Sequence, residues 1–154
     1  MRGPGAARFR LLLLGLAGLA GLSGCPTVDV GDMPISPPPC RPSFQTFMMS
    51  GGIWDTAINP PDQSKSCVAM NGCHTSDTGR SALRLIPMPV SDTDWQANYE
   101  VVTRFLNCSQ PEASPLITKP EAGTDPHVGG DLWQCTNPPD CEPEKTIIEW
   151  INAR

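Results

Sequence analysis

The chain has 154 residues, 39% of them hydrophobic and 18% charged, with 18 prolines, 14 glycines and 7 cysteines. That length supports one small core rather than several domains. A formal charge of −5 argues against nucleic acid and against docking on anionic lipid, and suits a protein partner with a basic patch. No G-x-S-x-G, phosphate loop, nucleophile–base pair or paired-carboxylate signal stands out, so no catalytic residue is assigned and an enzyme is the least supported reading.

Taken in chain order, residues 1–24 have the anatomy of an export signal. Arg2, Arg8 and Arg10 form a basic start, and Leu11 to Leu22 is an apolar run too short to span a bilayer comfortably. Leu22-Ser23-Gly24-Cys25 then resembles a bacterial lipobox. That resemblance implies removal of residues 1–24 and lipidation of Cys25, which would hang the rest of the chain from a membrane of the cell envelope by lipid alone. Pro26 occupies the place where an aspartate would signal inner-membrane retention, which favours the outer membrane. Losing three arginines and no acid takes the charge from −5 to −8. Six cysteines remain: Cys40, Cys67, Cys73, Cys108, Cys135 and Cys141. An exported, oxidising setting favours disulfides among them.

Residues 25–39 are rich in Pro, Gly and Asp and end in Pro37-Pro38-Pro39, which reads as a semi-extended tether. The folded domain is expected over residues 40–154. Its first helix is predicted from Ser43 to about Ser50, with Phe44, Phe47 and Met48 on one face, and Ile53 to Ile58 as a further turn beyond Gly51-Gly52. Asn59-Pro60-Pro61 stops it. A second helix, capped by Ser91 or Asp92, carries Trp95, Tyr99, Val102 and Phe105-Leu106 at helical spacing up to Cys108. A short third helix is predicted from Pro111-Glu112 to Leu116-Ile117, and a last one from Pro143-Glu144 to Asn152 with Ile147, Ile148, Trp150 and Ile151 as its apolar face. Ala82 to Ile86 is a short extended piece. The fold class is therefore all-α and loop-rich. At this size such a domain would be marginal without covalent ties or a cofactor.

The chemistry concentrates in Cys67-Val68-Ala69-Met70-Asn71-Gly72-Cys73-His74. Two cysteines with a histidine directly after the second resemble a c-type haem attachment site, usually C-x-x-C-H, here with five residues between the sulfurs. The same residues are open to a plainer reading, a Cys67–Cys73 disulfide beside an ordinary histidine. Downstream come Ala82-Leu83-Arg84-Leu85, Ser114-Pro115-Leu116-Ile117-Thr118-Lys119-Pro120, Pro126-His127-Val128-Gly129-Gly130 and Ile148-Glu149-Trp150-Ile151. In this order they resemble the cytochrome c-like domains found in planctomycete and myxobacterial envelope proteins, over roughly Phe44 to Asn152.

That resemblance implies a small cytochrome c-like fold with its first and last helices packed together, stabilised by disulfides. It implies haem c joined through Cys67 and Cys73, with His74 as the proximal iron ligand and His127 as the distal one. Met88 is a weaker alternative for the sixth position, and Met70 is read as packing. The implied function is membrane-tethered electron transfer to a redox partner. Cys135 and Cys141 close a loop of the same size as Cys67 to Cys73 and are expected to pair, with Cys40 and Cys108 paired by elimination, one of fifteen connectivities open to six cysteines. Two alternatives stay open: a haem-free lipoprotein with a structural or binding role, closed by three disulfides, and a zinc site built from Cys67, Cys73 and His74 with His127 or Cys108. Trp150 is expected against the first helix. Trp54, Trp95 and Trp133 are read as core in preference to haem edge, and Lys119 and Asp131 as surface or loop-fixing residues.

Overall fold

The structure is a computed structural model and describes residues 41–69, 74–77, 79, 81–121, 123, 127, 131–133, 135 and 141–153. The signal, the lipobox cysteine and the tether lie outside these residues, as do Cys40, Met70 and Cys73.

Among the described residues four α-helices organise the domain: α1 (Phe44–Met48), α2 (Asp92–Thr103), α3 (Pro115–Thr118) and α4 (Glu142–Asn152). There is no strand among the described residues, only two isolated bridges, so the all-α expectation holds. Ser43 caps α1, its hydroxyl accepting from the Thr46 N–H at 3.1 Å. The helix ends because the chain turns through Gly51 at φ 72°, and Gly52 then passes so close to the Thr46 and Met49 carbonyl oxygens that a Cβ would collide with both. The expected extra turn follows as a π-helix, Trp54–Ile58, rather than an α-helical one. Such a turn is wider than the α-helix and recurs at functional sites.

Helix α2 opens with a full capping box. Ser91 accepts from the Asp94 N–H at 3.2 Å, and the Asp94 carboxylate accepts from the Ser91 N–H at 3.0 Å. It stops at Thr103, short of the predicted Cys108. There the hydrogen bonds tighten to i→i−3, from Phe105 N–H to the Val102 carbonyl and from Leu106 N–H to the Thr103 carbonyl. The Phe105 carbonyl is then taken by the Leu116 N–H at 3.2 Å, which pulls α3 alongside. The predicted third helix is split: a 3₁₀ turn at Pro111–Ala113, then α3, with buried Ser114 between them receiving the Asn107 N–H on its hydroxyl.

The core has an aromatic centre. Phe47 lies at its middle, with ring centroids 5.8 Å from Trp150, 5.8 Å from Tyr99, 6.1 Å from Trp54 and 6.4 Å from Trp95. Mostly edge-to-face pairs of this kind add to simple area burial. The polar ends are satisfied too: Tyr99 donates its hydroxyl to the Pro42 carbonyl at 2.7 Å, and Trp150 donates Nε1–H to the Ser43 carbonyl at 2.8 Å. The first and last helices are thus joined as expected, by stacking and by a hydrogen bond across 107 positions of chain. Ile147 and Ile151 complete the buried face of α4.

Candidate functional site

One element of the aromatic half reaches into the rest of the molecule. Asn98 of α2, 1% exposed, receives the Ile86 N–H on Oδ1 at 2.8 Å and donates Nδ2–H to the Ile86 carbonyl at 3.0 Å. One amide thereby reads both backbone groups of one residue, as a neighbouring strand would. This holds the extended 82–86 segment, whose Leu85 bridges to Thr75: the Leu85 N–H bonds the His74 carbonyl and the Ser76 N–H bonds the Leu85 carbonyl, each at 2.7 Å. His74 is therefore placed by a chain of contacts running back to helix α2.

Its ring is oriented as well. Nδ1 of His74 lies 3.0 Å from the Leu83 carbonyl and 2.6 Å from Ser81 Oγ. A carbonyl can only accept, so the proton sits on Nδ1 and the lone pair on Nε2. Metal-ligating histidines are commonly oriented in this way by a carbonyl behind the ring. On the other side, residues 120–121 and 132–133 pair with each other: the Pro120 carbonyl accepts from both Leu132 and Trp133 N–H at 2.9 Å, and Glu121 bridges to Trp133. The loop closed by that pairing carries His127 at its middle.

The two loops bring the two histidines together. Their ring centroids are 5.8 Å apart and their planes lie within 7° of parallel. That spacing is the one at which Phe47 stacks on Trp150, so the two rings stack. It is close to the roughly 6 Å that two imidazoles span when they share one metal ion through bonds of about 2 Å. Both rings line a pocket of about 40 Å³ that is walled mainly by Leu83, Phe105, Leu116, Leu132 and Cys67.

Cys67 is buried and its thiol is free, its N–H anchored at 2.9 Å to the carbonyl of Ile58, the last residue of the π-helix. Burial pushes the thiol up to about 12, so it stays protonated at neutral pH. The Cys67–Cys73 bridge expected of a haem-free domain is accordingly not formed. Cys135 and Cys141 are bonded, with Cα atoms 5.1 Å apart. Cys108 is disulfide-bonded, and its expected partner Cys40 lies outside the described residues. That bond removes Cys108 from any zinc site. Nor do the ligand atoms of Cys67, His74 and His127 converge. Among the described residues the group of three that does is Glu121, Cys135 and Glu144.

The other expected residues separate cleanly. Met88 is 82% exposed and does not line the pocket. Trp54 and Trp133 are buried in the core, Trp95 is half-buried, and none of the three borders the pocket. Asp131 is exposed, whereas Lys119 is half-buried and lines the pocket wall rather than the open surface. Two positioning residues, Asn98 and Ser81, were not anticipated. Asn98 had a signal, since it is the polar interruption of the Trp95–Tyr99–Val102 stripe. Ser81 had none.

For the haem that the motif implies, the donor set fits. Two parallel imidazoles line one apolar pocket, one of them oriented from behind, and a free cysteine thiol is on its wall. No protein-family model, no curated protein and no solved structure matches this chain.

Proposed function

We propose that the chain is a lipid-tethered, c-type cytochrome-like protein of the cell envelope that carries single electrons. The observation that supports this most is the parallel pair His74 and His127 at 5.8 Å, lining one apolar pocket, with His74 Nδ1 directed at the Leu83 carbonyl. Haem, when bound, supplies an iron that cycles between ferrous and ferric states. His74 and His127 would hold it, and Cys67 with Cys73 would tether it.

The protein's own contribution is orientation and exclusion of water. The Leu83 carbonyl makes His74 more basic and fixes which nitrogen faces the pocket. Leu83, Phe105, Leu116 and Leu132 keep the dielectric low. Two histidines without a methionine place such a centre toward lower potential. No helix among the described residues is long and apolar enough to cross a membrane; in this reading attachment is by lipid at Cys25. The acidic surface matches a redox partner with a basic face.

The test is expression of the full chain in a host with haem attachment machinery, followed by a reduced pyridine haemochrome spectrum. An α-band of c-type haem is expected, and His127→Ala should convert a low-spin spectrum to a high-spin one. Absence of the band, with a Cys67 thiol titratable after unfolding, would overturn the reading.

A further inference from the structure

Away from the histidine pocket, two buried carboxylates share one spot. Glu144, in the first turn of α4, is 3% exposed, and Glu121, on the bridge to Trp133, is 7% exposed. One oxygen of each lies within 4.8 Å of the other and of Cys135 Sγ. That sulfur is tied to Cys141 and is no ligand while the disulfide stands, so it serves as a wall. Glu144 Oε2 is fully buried and has no hydrogen-bond partner. A buried carboxylate oxygen in that state is costly, and a native fold retains one when something compensates it.

Two things can compensate it: a proton shared with Glu121, or a cation. Three features favour the cation. The N-terminal turn of a helix stabilises the ionised form. The separation of the donor atoms does not exceed twice the calcium–oxygen distance of about 2.4 Å. Finally, Glu112 adds a third negative field at the same place, which attracts a divalent ion more than a single proton demands.

We propose that Glu121 and Glu144 form a site for a hard divalent cation of the calcium class, pinning the foot of α4 to the 121–133 loop. The site does not depend on the haem reading. It would join, through that loop, the element that carries His127 to the helix that stacks on Phe47. Burial, then Glu121 and Glu112, hold the Glu144 carboxyl above the usual carboxylate range.

The full chain, stripped with a chelator, is titrated with calcium chloride by calorimetry at pH 7, with thermal unfolding in parallel. One ion per chain is expected, with a dissociation constant of about 10⁻⁴–10⁻³ M, as for other extracellular sites, and a melting temperature that rises with calcium. Glu144→Gln should abolish both responses while unfolding no earlier than the calcium-free parent, because it removes a buried unpaired charge. Glu112→Gln should keep the stoichiometry and weaken binding severalfold. Equal binding by Glu144→Gln would overturn the assignment. So would the absence of heat and thermal shift up to about 10 mM calcium, with carbon NMR showing Glu144 protonated at pH 7, which would establish the shared proton instead.

Discussion

The aromatic half and the pocket half of this domain are built by different forces. Around Phe47 the contacts are apolar, interlocking and drawn from helices whose buried faces recur at helical spacing. Around the pocket, order comes from single hydrogen bonds that place irregular chain: Asn98 on Ile86, Leu85 on His74, and Pro120 on Leu132 and Trp133. Apolar packing is non-directional and closes on itself until no space is left. Directional bonds can instead set how two loops meet, and the 5.8 Å between His74 and His127 is the result. The fold thus places its dense packing in one half and the candidate site in the other, joined through α2.

Substitutions in the two halves should separate accordingly. The largest loss is expected for Phe47→Ala, about 3–5 kcal/mol by urea unfolding, since five other aromatic rings form a web with it. A loss under about 1 kcal/mol would mean that the web is not the stabilising centre. Asn98→Ala should cost about 1–3 kcal/mol, because it strands both backbone groups of Ile86. It should also disturb His74 in imidazole NMR, a change Phe47→Ala should not produce at matched stability. If both variants perturb His74 alike, the two halves are a single unit.

Ser91→Ala should cost about 1 kcal/mol by removing the cap of α2, read as a shift in urea midpoint. This effect has a pH signature. The Asp94 carboxyl is held below its usual range by the N–H groups of Ser91 and Val90 and by the Ser91 hydroxyl. A lowered folded value contributes stability at neutral pH that is lost as the pH falls through it. The gap between the parent and Ser91→Ala should therefore narrow in acid.

The smallest effect has the opposite sign. Glu144 is held above the usual range, so in calcium-free buffer stability should fall as the pH rises from the ordinary glutamate range through the raised folded value. Glu144→Gln should flatten that slope, and an unchanged slope would show that Glu144 does not titrate differently in the folded state. Two carboxylates in the first turns of two helices thus report opposite environments: one solvated and hydrogen-bonded, the other buried beside its like.

Periodicity carried much of the helical half. The apolar spacing of Phe44, Phe47 and Met48, of Trp95, Tyr99 and Val102, and of Ile147, Trp150 and Ile151 placed three helices near their observed ends, and Ser91 marked one start. It failed where tertiary contacts intervened. Phe105 and Leu106 continue the helical spacing of α2 but lie beyond its end, because the Phe105 carbonyl is engaged by Leu116. The stretch after Gly52 reads as an α-helical turn and is a π-helix. At the site, histidine and cysteine positions were legible as residue types. Met88 was legible in the same way, and it is exposed away from the pocket.

What the sequence alone determined is therefore local: which segments are helical, where they start, and which residues can bind metal or form thioether. Those properties depend on spacing and side-chain chemistry within one turn or one loop. Only the tertiary structure decided that Asn98 holds Ile86, that Cys67 is a buried free thiol, that Met88 is exposed, and that Glu121 and Glu144 meet. It also decided that His74 and His127, 53 positions apart, lie parallel and line one pocket. The physical reason is that no local signal encodes a distance between two loops. That distance is set by the helices beneath them and by the few hydrogen bonds that tie the loops down.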